Sequence, residues 1–439
     1  MSSAGPLTAL RARLDRIAPP GRVNFWCHAL EGSFWSLGDS LVSAAEVLPV
    51  LAVSGLGASG TALGVLNALA GIALLAPLIV AHRVEAAARK KRLVVVLGLG
   101  GRLPYLAIAG ALALFGASRP AVALIVIGVC ILARSLLMSV SVPPWTDLVA
   151  ETIPHQRTGR LFGYRMSLSA LMGLVAGPIC AAIVAGLGFP RNYVMLYEVS
   201  FAALLISLVI FALVDEMPAD AAPAPAHPAR HYLRELLTAL RRDATYRNFL
   251  IYRALSQVRL ATMPFYAMAA MIYHGMDAAL VVGSFIVARR LATIVGTLVG
   301  PRLAERIGHR HVMQAGAALA ILAALTAAFA PAGAWALFVG AVFVGSLGSS
   351  AEMVTRWALS LRIYPRGRRV GYTTLSMAAL SPAAIIAAPA AGWVMDVWGH
   401  AALFCLAAIV MAASLLPLHW CRPSERELSA RAEGGSVEG

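Results

Sequence analysis

The sequence predicts an all-α polytopic membrane protein of twelve transmembrane helices in two six-helix bundles, with both termini in the cytoplasm. Three observations carry this prediction. Apolar runs of about 20 residues, the length an α-helix needs to cross the hydrocarbon core, recur along the 439 residues. The turns between them alternate between arginine-rich and arginine-poor, and the second half repeats short motifs of the first in the same order.

The runs lie near 24–52, 59–82, 93–115, 120–143, 161–188 and 192–214 in the first half, and near 247–274, 279–300, 312–331, 334–361, 370–395 and 400–420 in the second. Charge orients them, because cytoplasmic turns of membrane proteins hold the excess of Lys and Arg. The N-terminus and every second turn carry most of the 36 basic residues, among them Arg11, Arg22, Arg89, Lys90, Lys91, Arg160, Arg241, Arg306 and Arg368. The opposite turns hold only Arg119 and Arg191. An even number of crossings with both ends inside follows.

Composition excludes several other readings. A chain that is 59% hydrophobic and 13% charged is too apolar for a soluble domain of this size. The net charge of +15 follows the membrane-orientation rule, since the basic residues are spread over many short segments, and it does not point to nucleic acid. Cys27, Cys130, Cys180, Cys405 and Cys421 lie in or at the ends of spans with no C-x-x-C or His spacing, so neither a redox pair nor a metal site is expected. The first hydrophobic segment is long and carries Glu31, Asp39 and Glu46, which reads as a permanent helix and not a cleaved signal.

Five segments result: a cytoplasmic N-terminal segment 1–23, a first bundle 24–214, a cytoplasmic linker 215–246, a second bundle 247–420 and a cytoplasmic tail 421–439. The linker holds Pro218, Pro223, Pro225 and Pro228 among alanines, a composition that favours extended chain. Within it, Leu233, Leu236, Leu237 and Leu240 fall at i, i+3, i+4 and i+7 beside Arg234, Arg241 and Arg242, the pattern of a short amphipathic helix on the membrane surface.

The halves repeat in order. Asn24-Phe25 recurs as Asn248-Phe249, Ala81-x-Arg83-Val84 as Ala304-x-Arg306-Ile307, Arg160-x-x-Gly163-Tyr164 as Arg368-x-x-Gly371-Tyr372, and Gly177-Pro178-x-x-Ala181 as Ala388-Pro389-x-x-Gly392. Four matches at corresponding places argue for duplication of a six-helix unit, as in transporters built from parallel repeats.

The run Gly300-Pro301-Arg302-Leu303-Ala304-Glu305-Arg306-Ile307-Gly308-His309-Arg310 resembles the G-x-x-L-A-D-R-x-G-R-R loop of the major facilitator superfamily. In the first-half copy Pro77, His82 and Glu85 stand where that family prefers Gly, Asp and Gly. Pro154-x-x-Arg157-Thr158-Gly159-Arg160-x-x-Gly163 resembles its P-x-x-R-G-R-x-x-G turn with one residue inserted. Helix 5 holds Gly173-x-x-x-Gly177-Pro178-x-x-Ala181-Ala182, similar to the G-x-x-x-G-P-x-x-G-G signature of drug:proton antiporters with alanines for the last two glycines. Glycines let helices approach and Pro bends one by removing an internal hydrogen bond.

Charges inside the spans point to the working part. They are Glu31, Asp39 and Glu46 on helix 1, Arg102 on helix 3, Arg134 on helix 4, Glu198 on helix 6, and Arg253, Arg259, Arg289, Arg290, Glu352 and Arg356 in the second half. At roughly 2.5–3.5 kcal/mol each near the bilayer centre, twelve such groups cost on the order of 30 kcal/mol unless they face water, one another or the interface. The resemblance implies that helices 1, 4, 7 and 10 line a central cavity, and most of these charges lie on those four.

At 100° per residue, Glu31, Asp39 and Glu46 sit at about 0°, 80° and 60°, with His28 and Trp35 on the same side. Arg134 is the expected partner of this stripe, at a depth between Glu31 and Asp39. Its setting partly resembles the helix-4 arginine motif of the antiporters, with Leu137 and Met138 in place of Gln and Gly. Pairing with a guanidinium favours an ionised acid and burial favours a protonated one, so a carboxylate caught between the two can take and release a proton. Glu352 and Arg356 have the i, i+4 spacing of an intrahelical pair. Arg253 and Arg259 complete the second-half cavity, and Glu305 with Arg306, Arg310, Arg157 and Arg160 forms a candidate cytoplasmic gate.

The resemblance implies a secondary transporter of the bacterial inner membrane, acting as a monomer by alternating access on a small-molecule substrate, with protons and membrane lipids as its other partners and no cofactor or metal. We read it as proton-coupled export of a small or amphipathic solute. The alternatives are uptake of an anionic solute, because intramembrane arginines outnumber the acids, and a non-transporting scaffold or assembly factor of the same fold. No nucleotide-binding P-loop and no convergent nucleophile and base stand out, so neither an ATP-driven pump nor an enzyme is expected.

Overall fold

The structure, a computed structural model, describes residues 20–76, 89–216, 238, 240–241, 243–363 and 369–421. The N-terminal segment, the Pro77, His82 and Glu85 motif, Arg368, most of the predicted amphipathic helix and the C-terminal tail lie outside the described residues. Among the described residues the chain is helical, without strands.

Helix α1 is Pro20–Leu41, α2 is Gly60–Ile72, and α3 is broken into Lys90–Gly100 and Leu103–Phe115. There follow α4, Pro120–Thr152, α5, His155–Gly186, and α6, Arg191–Ala212. In the second half α7 is broken into Ala244–Leu255 and Gln257–Ile272, followed by α8, Ala278–Ile307, α9, His309–Phe329, and α10, Trp335–Ile363. The helical run Arg369–Trp420 divides at Gly399, whose φ of 79° a side chain would strain. The pieces are α11 (369–398) and α12 (400–420). Eight described helices are long and apolar enough to cross a membrane, which makes this a multi-pass membrane protein.

Local chemistry sets several boundaries. Pro20 stands at the first position of α1, where its missing N–H costs nothing. Ser59 caps α2 by accepting from the Ala62 N–H at 3.1 Å, and Asp243 caps α7 through the Tyr246 N–H at 2.8 Å. The first predicted span differs from expectation. Helix α1 stops at Leu41, and after a turn the chain resumes as Val47–Val50 and a π-helical turn Leu51–Gly55. The angle computed for Glu46 on one unbroken helix therefore does not apply.

The chain forms two compact units, and they do not divide at its midpoint. The first holds α1, α3, α4, α5, α6 and Ala278–Val287 of α8. The second holds α2, α7, the rest of α8 and α9 to α12.

In the first unit α1 packs on α5 and α6, and α3 packs on α4 and α6. Small residues bring the backbones together. The Ser36 hydroxyl donates to the Ser169 carbonyl at 2.9 Å, the Ser169 hydroxyl returns a bond to the Gly32 carbonyl at 3.0 Å, and Ser200 donates to the Gly38 carbonyl at 2.7 Å. Each such bond is worth only about 0.6 kcal/mol in a membrane, but the set fixes the rotation of α1 about its axis. Asn24 ties the start of α1 to the end of α6 by exchanging two bonds with the Asp215 backbone. Helix α5 carries Pro178 within its run His155–Gly186. Gly177 faces Gly283 of α8 so closely that an added Cβ would lie 3.0 Å from the Gly283 carbonyl oxygen.

In the second unit α9 packs on α10, and α2 packs on α11. The α2 and α11 backbones nearly touch. A Cβ on Gly64 would lie 2.3 Å from the Ala388 oxygen, and one on Gly392 2.1 Å from the Gly60 oxygen.

Candidate functional site

The orientation of α1 decides where its charges go. Glu31 is buried and accepts from Arg165 of α5 and, at 3.5 Å, from the Ser207 hydroxyl of α6. Arg165 also donates to the His28 carbonyl and lies over the Trp145 ring, 4.9 Å from its centroid. Gly32 makes room for this, since a Cβ there would meet the Arg165 guanidinium carbon at 2.4 Å.

Two turns further along, Asp39 accepts from Arg134 of α4 at 2.8 Å. Arg134 also lies over Tyr105, 5.2 Å from the ring centroid. The Asp39 side chain is 37% exposed, against 9% for Glu31. Past the break, Glu46 is buried and accepts from the Ser43 hydroxyl, a pair local to the turn. The predicted stripe thus resolves into three separate environments: a buried ion pair, an accessible ion pair and a buried turn carboxyl. His28 is fully buried, with Nε2 3.0 Å from the Thr152 hydroxyl, and Trp35 lines a cavity beside Glu31.

Arg165 is the residue that sequence reasoning missed. It sits at the arginine-rich end of α5, where an arginine reads as a marker of orientation. Only Gly32, one residue after Glu31, hinted at a bulky neighbour. Arg102 is buried at the break in α3. It donates to the Leu204 carbonyl at 2.6 Å, the Gly98 carbonyl at 2.7 Å and the Ser207 hydroxyl at 3.4 Å.

In the second unit Glu352 is fully buried and receives Arg259 of α7 as well as Arg356, the latter at 3.4 Å. The expected intrahelical pair is therefore one side of a three-member cluster joining α7 to α10. Arg253 lies over the Phe249 ring, 5.9 Å from its centroid. Of the candidate gate, Arg157, Arg160, Glu305 and Arg306 are exposed, and Glu305 makes no ion pair among the described residues. Arg310 contacts His419 at 3.3 Å. Among the described residues no cluster could hold a metal ion.

The described residues thus form a multi-pass helical protein with charged side chains paired inside its helices. Residues 261–437 match the family model described as Major Facilitator Superfamily. That stretch lies in the second half of the chain, which is similar to this superfamily there. A crystal structure of the nucleoside transporter NupG (D323A mutant) superposes with a TM-score of 0.73 at 13% identity, covering 91% of this chain and 99% of that one. A POT family transporter in complex with a thioalcohol-conjugated peptide gives 0.68 at 12%, covering 91% and 95%. A D-xylose-proton symporter gives 0.62 at 14%, covering 89% and 96%. At these identities the likeness is one of fold. No curated protein matches the sequence.

Proposed function

We propose that the protein is a secondary active transporter working by alternating access, and that it couples export of a small or amphipathic solute to protons. The accessible Asp39–Arg134 pair carries this reading. Of the three acids on the first span, Asp39 is the most exposed, while Glu31 and Glu46 are buried. Its guanidinium partner gives it two stable conditions: ionised against Arg134, or protonated and released. A carboxylate that alternates between these while exposed first to one compartment and then to the other moves a proton against a solute.

The reading includes twelve crossings, cytoplasmic termini and an inner-membrane location, which rest on the distribution of arginine and on the repeat. It also assigns Glu305 to a second conformation, in which this exposed carboxylate pairs with a basic helix end such as Arg306 or Arg310. Protein reconstituted in liposomes and given an imposed proton gradient tests the class. Solute movement that collapses with a protonophore supports coupling, and an equal rate with and without the gradient rejects it.

A further inference from the structure

We propose that a cavity inside the first unit binds a small monocarboxylate with an aromatic or compact apolar body. The cavity measures about 230 Å³, and its walls include Glu31 and Trp35 of α1, Arg102 of α3, Trp145 of α4, Arg165 of α5 and Phe211 of α6. All of these belong to one compact unit, so the site is complete without the other half of the chain.

Size, surface and charge each narrow the ligand. A cavity of about 150 Å³ already accommodates benzene, so 230 Å³ takes a single ring with a short arm. Two tryptophans and a phenylalanine give the ring flat apolar surfaces to lie against. The charged groups on the wall are one carboxylate, Glu31, and two guanidiniums, Arg102 and Arg165. Glu31 pairs with Arg165, whereas Arg102 bonds to two carbonyls and a hydroxyl, all neutral, and to no carboxylate among the described ion pairs.

A guanidinium has five N–H donors, and those of Arg102 are not exhausted by three bonds, the longest at 3.4 Å. The wall thus carries one positive charge in excess, two guanidiniums sharing the single carboxylate Glu31, and Arg102 is only 5% exposed, where a charge not fully offset is costly. One anionic group offsets that charge. A cation adds to it, and a neutral solute leaves it in place. As a substrate site this cavity rests on the transporter reading above; as a binding site it does not.

Phenylacetate is the probe, titrated into purified protein at constant ionic strength. Binding is read from tryptophan fluorescence, with Trp145→Phe as control, and from thermal stabilisation. Phenylacetate should saturate, while 2-phenylethanol and benzylammonium bind roughly ten- to a hundredfold more weakly, the worth of a hydrogen-bonded charge at 1.4 kcal/mol per factor of ten. Arg102→Lys should weaken phenylacetate binding, and Ser141→Phe, which fills the cavity without touching its charges, should abolish it in protein that remains monodisperse. Equal or tighter binding of benzylammonium, or phenylacetate binding unaltered by Ser141→Phe, overturns the proposal. Radiolabelled phenylacetate flux in liposomes separates the two readings. Binding without flux upholds the site and removes phenylacetate as cargo, whereas flux of other solutes with no binding here upholds transport and removes the site.

Discussion

Thr61 gives both its backbone N–H and its hydroxyl to one carboxylate oxygen of Asp396, each at 2.7 Å, although 335 residues separate them. The other oxygen accepts from the Gly60 N–H at 2.6 Å. A residue of α11 therefore caps the first turn of α2, placing negative charge where the helix dipole favours it, and close glycine packing holds the two helices in register. Asp396 is exposed, so Asp396→Ala should lower stability by only about 1 kcal/mol, within the usual range for a lost cap. The functional consequence should be larger. If α2 and α11 part during a transport cycle, Thr61→Cys with Asp396→Cys, joined by a short bifunctional thiol reagent, should arrest flux, while either single variant treated alike should not. Full flux in the cross-linked protein would show that the contact is permanent.

How far the sequence could reach is visible in these residues. Apolar length located the described helices, because it is a local property of a chain. It also picked out Asp39 and Arg134, which meet at 2.8 Å, since charges inside apolar runs are expensive and stand out. Local pattern does not carry the identity of partners. Arg165 looked like a topological arginine until the packing of α1 on α5 brought it to Glu31. Glu46 left its expected face because α1 ends at Leu41. Asp396 had no local signal at all, because its partners come from a helix more than 300 residues earlier.

Glu352 joins α7 to α10 through Arg259 while holding Arg356 on its own helix. Removing one member of a buried pair strands the other charge, at a cost of about 3–5 kcal/mol. Glu352→Gln should therefore lower the melting temperature strongly, and Glu352→Leu combined with Arg259→Met should recover much of the loss because the only charge left without its partner is Arg356, the most exposed of the three at 23%. If the single and double variants melt with the parent protein, the cluster has no structural role, and Glu352 becomes a candidate for the transport path.

The proposed orientation makes a separate prediction. In a background lacking the five native cysteines, Ser118→Cys and Ala332→Cys, both exposed beside arginine-poor turns, should react with an impermeant thiol reagent added to intact cells. Arg302→Cys, also exposed, should react only after the membrane is opened. The reverse pattern would invert the topology, and with it the side to which Asp39 first releases a proton.

Asp39 and Arg134 give the sharpest test of coupling. Their side chains are 37% and 28% exposed, so the pair is neither sealed in the core nor fully screened by water. Asp39→Asn presents a neutral group of nearly the same shape that cannot release a proton. It should abolish accumulation of solute against a gradient while leaving solute exchange or binding largely intact, because exchange needs the carrier to move but not to discharge. Arg134→Ala should act differently: it removes the guanidinium that holds Asp39 but leaves the carboxyl in place, so the rate of transport should fall while coupling persists. Both variants are measured in liposomes with an imposed pH gradient and, separately, with solute exchange at equal pH. If Asp39→Asn still accumulates solute when the proton gradient is imposed, the proton travels by another residue, and Glu31 against Arg165 is the next pair to change.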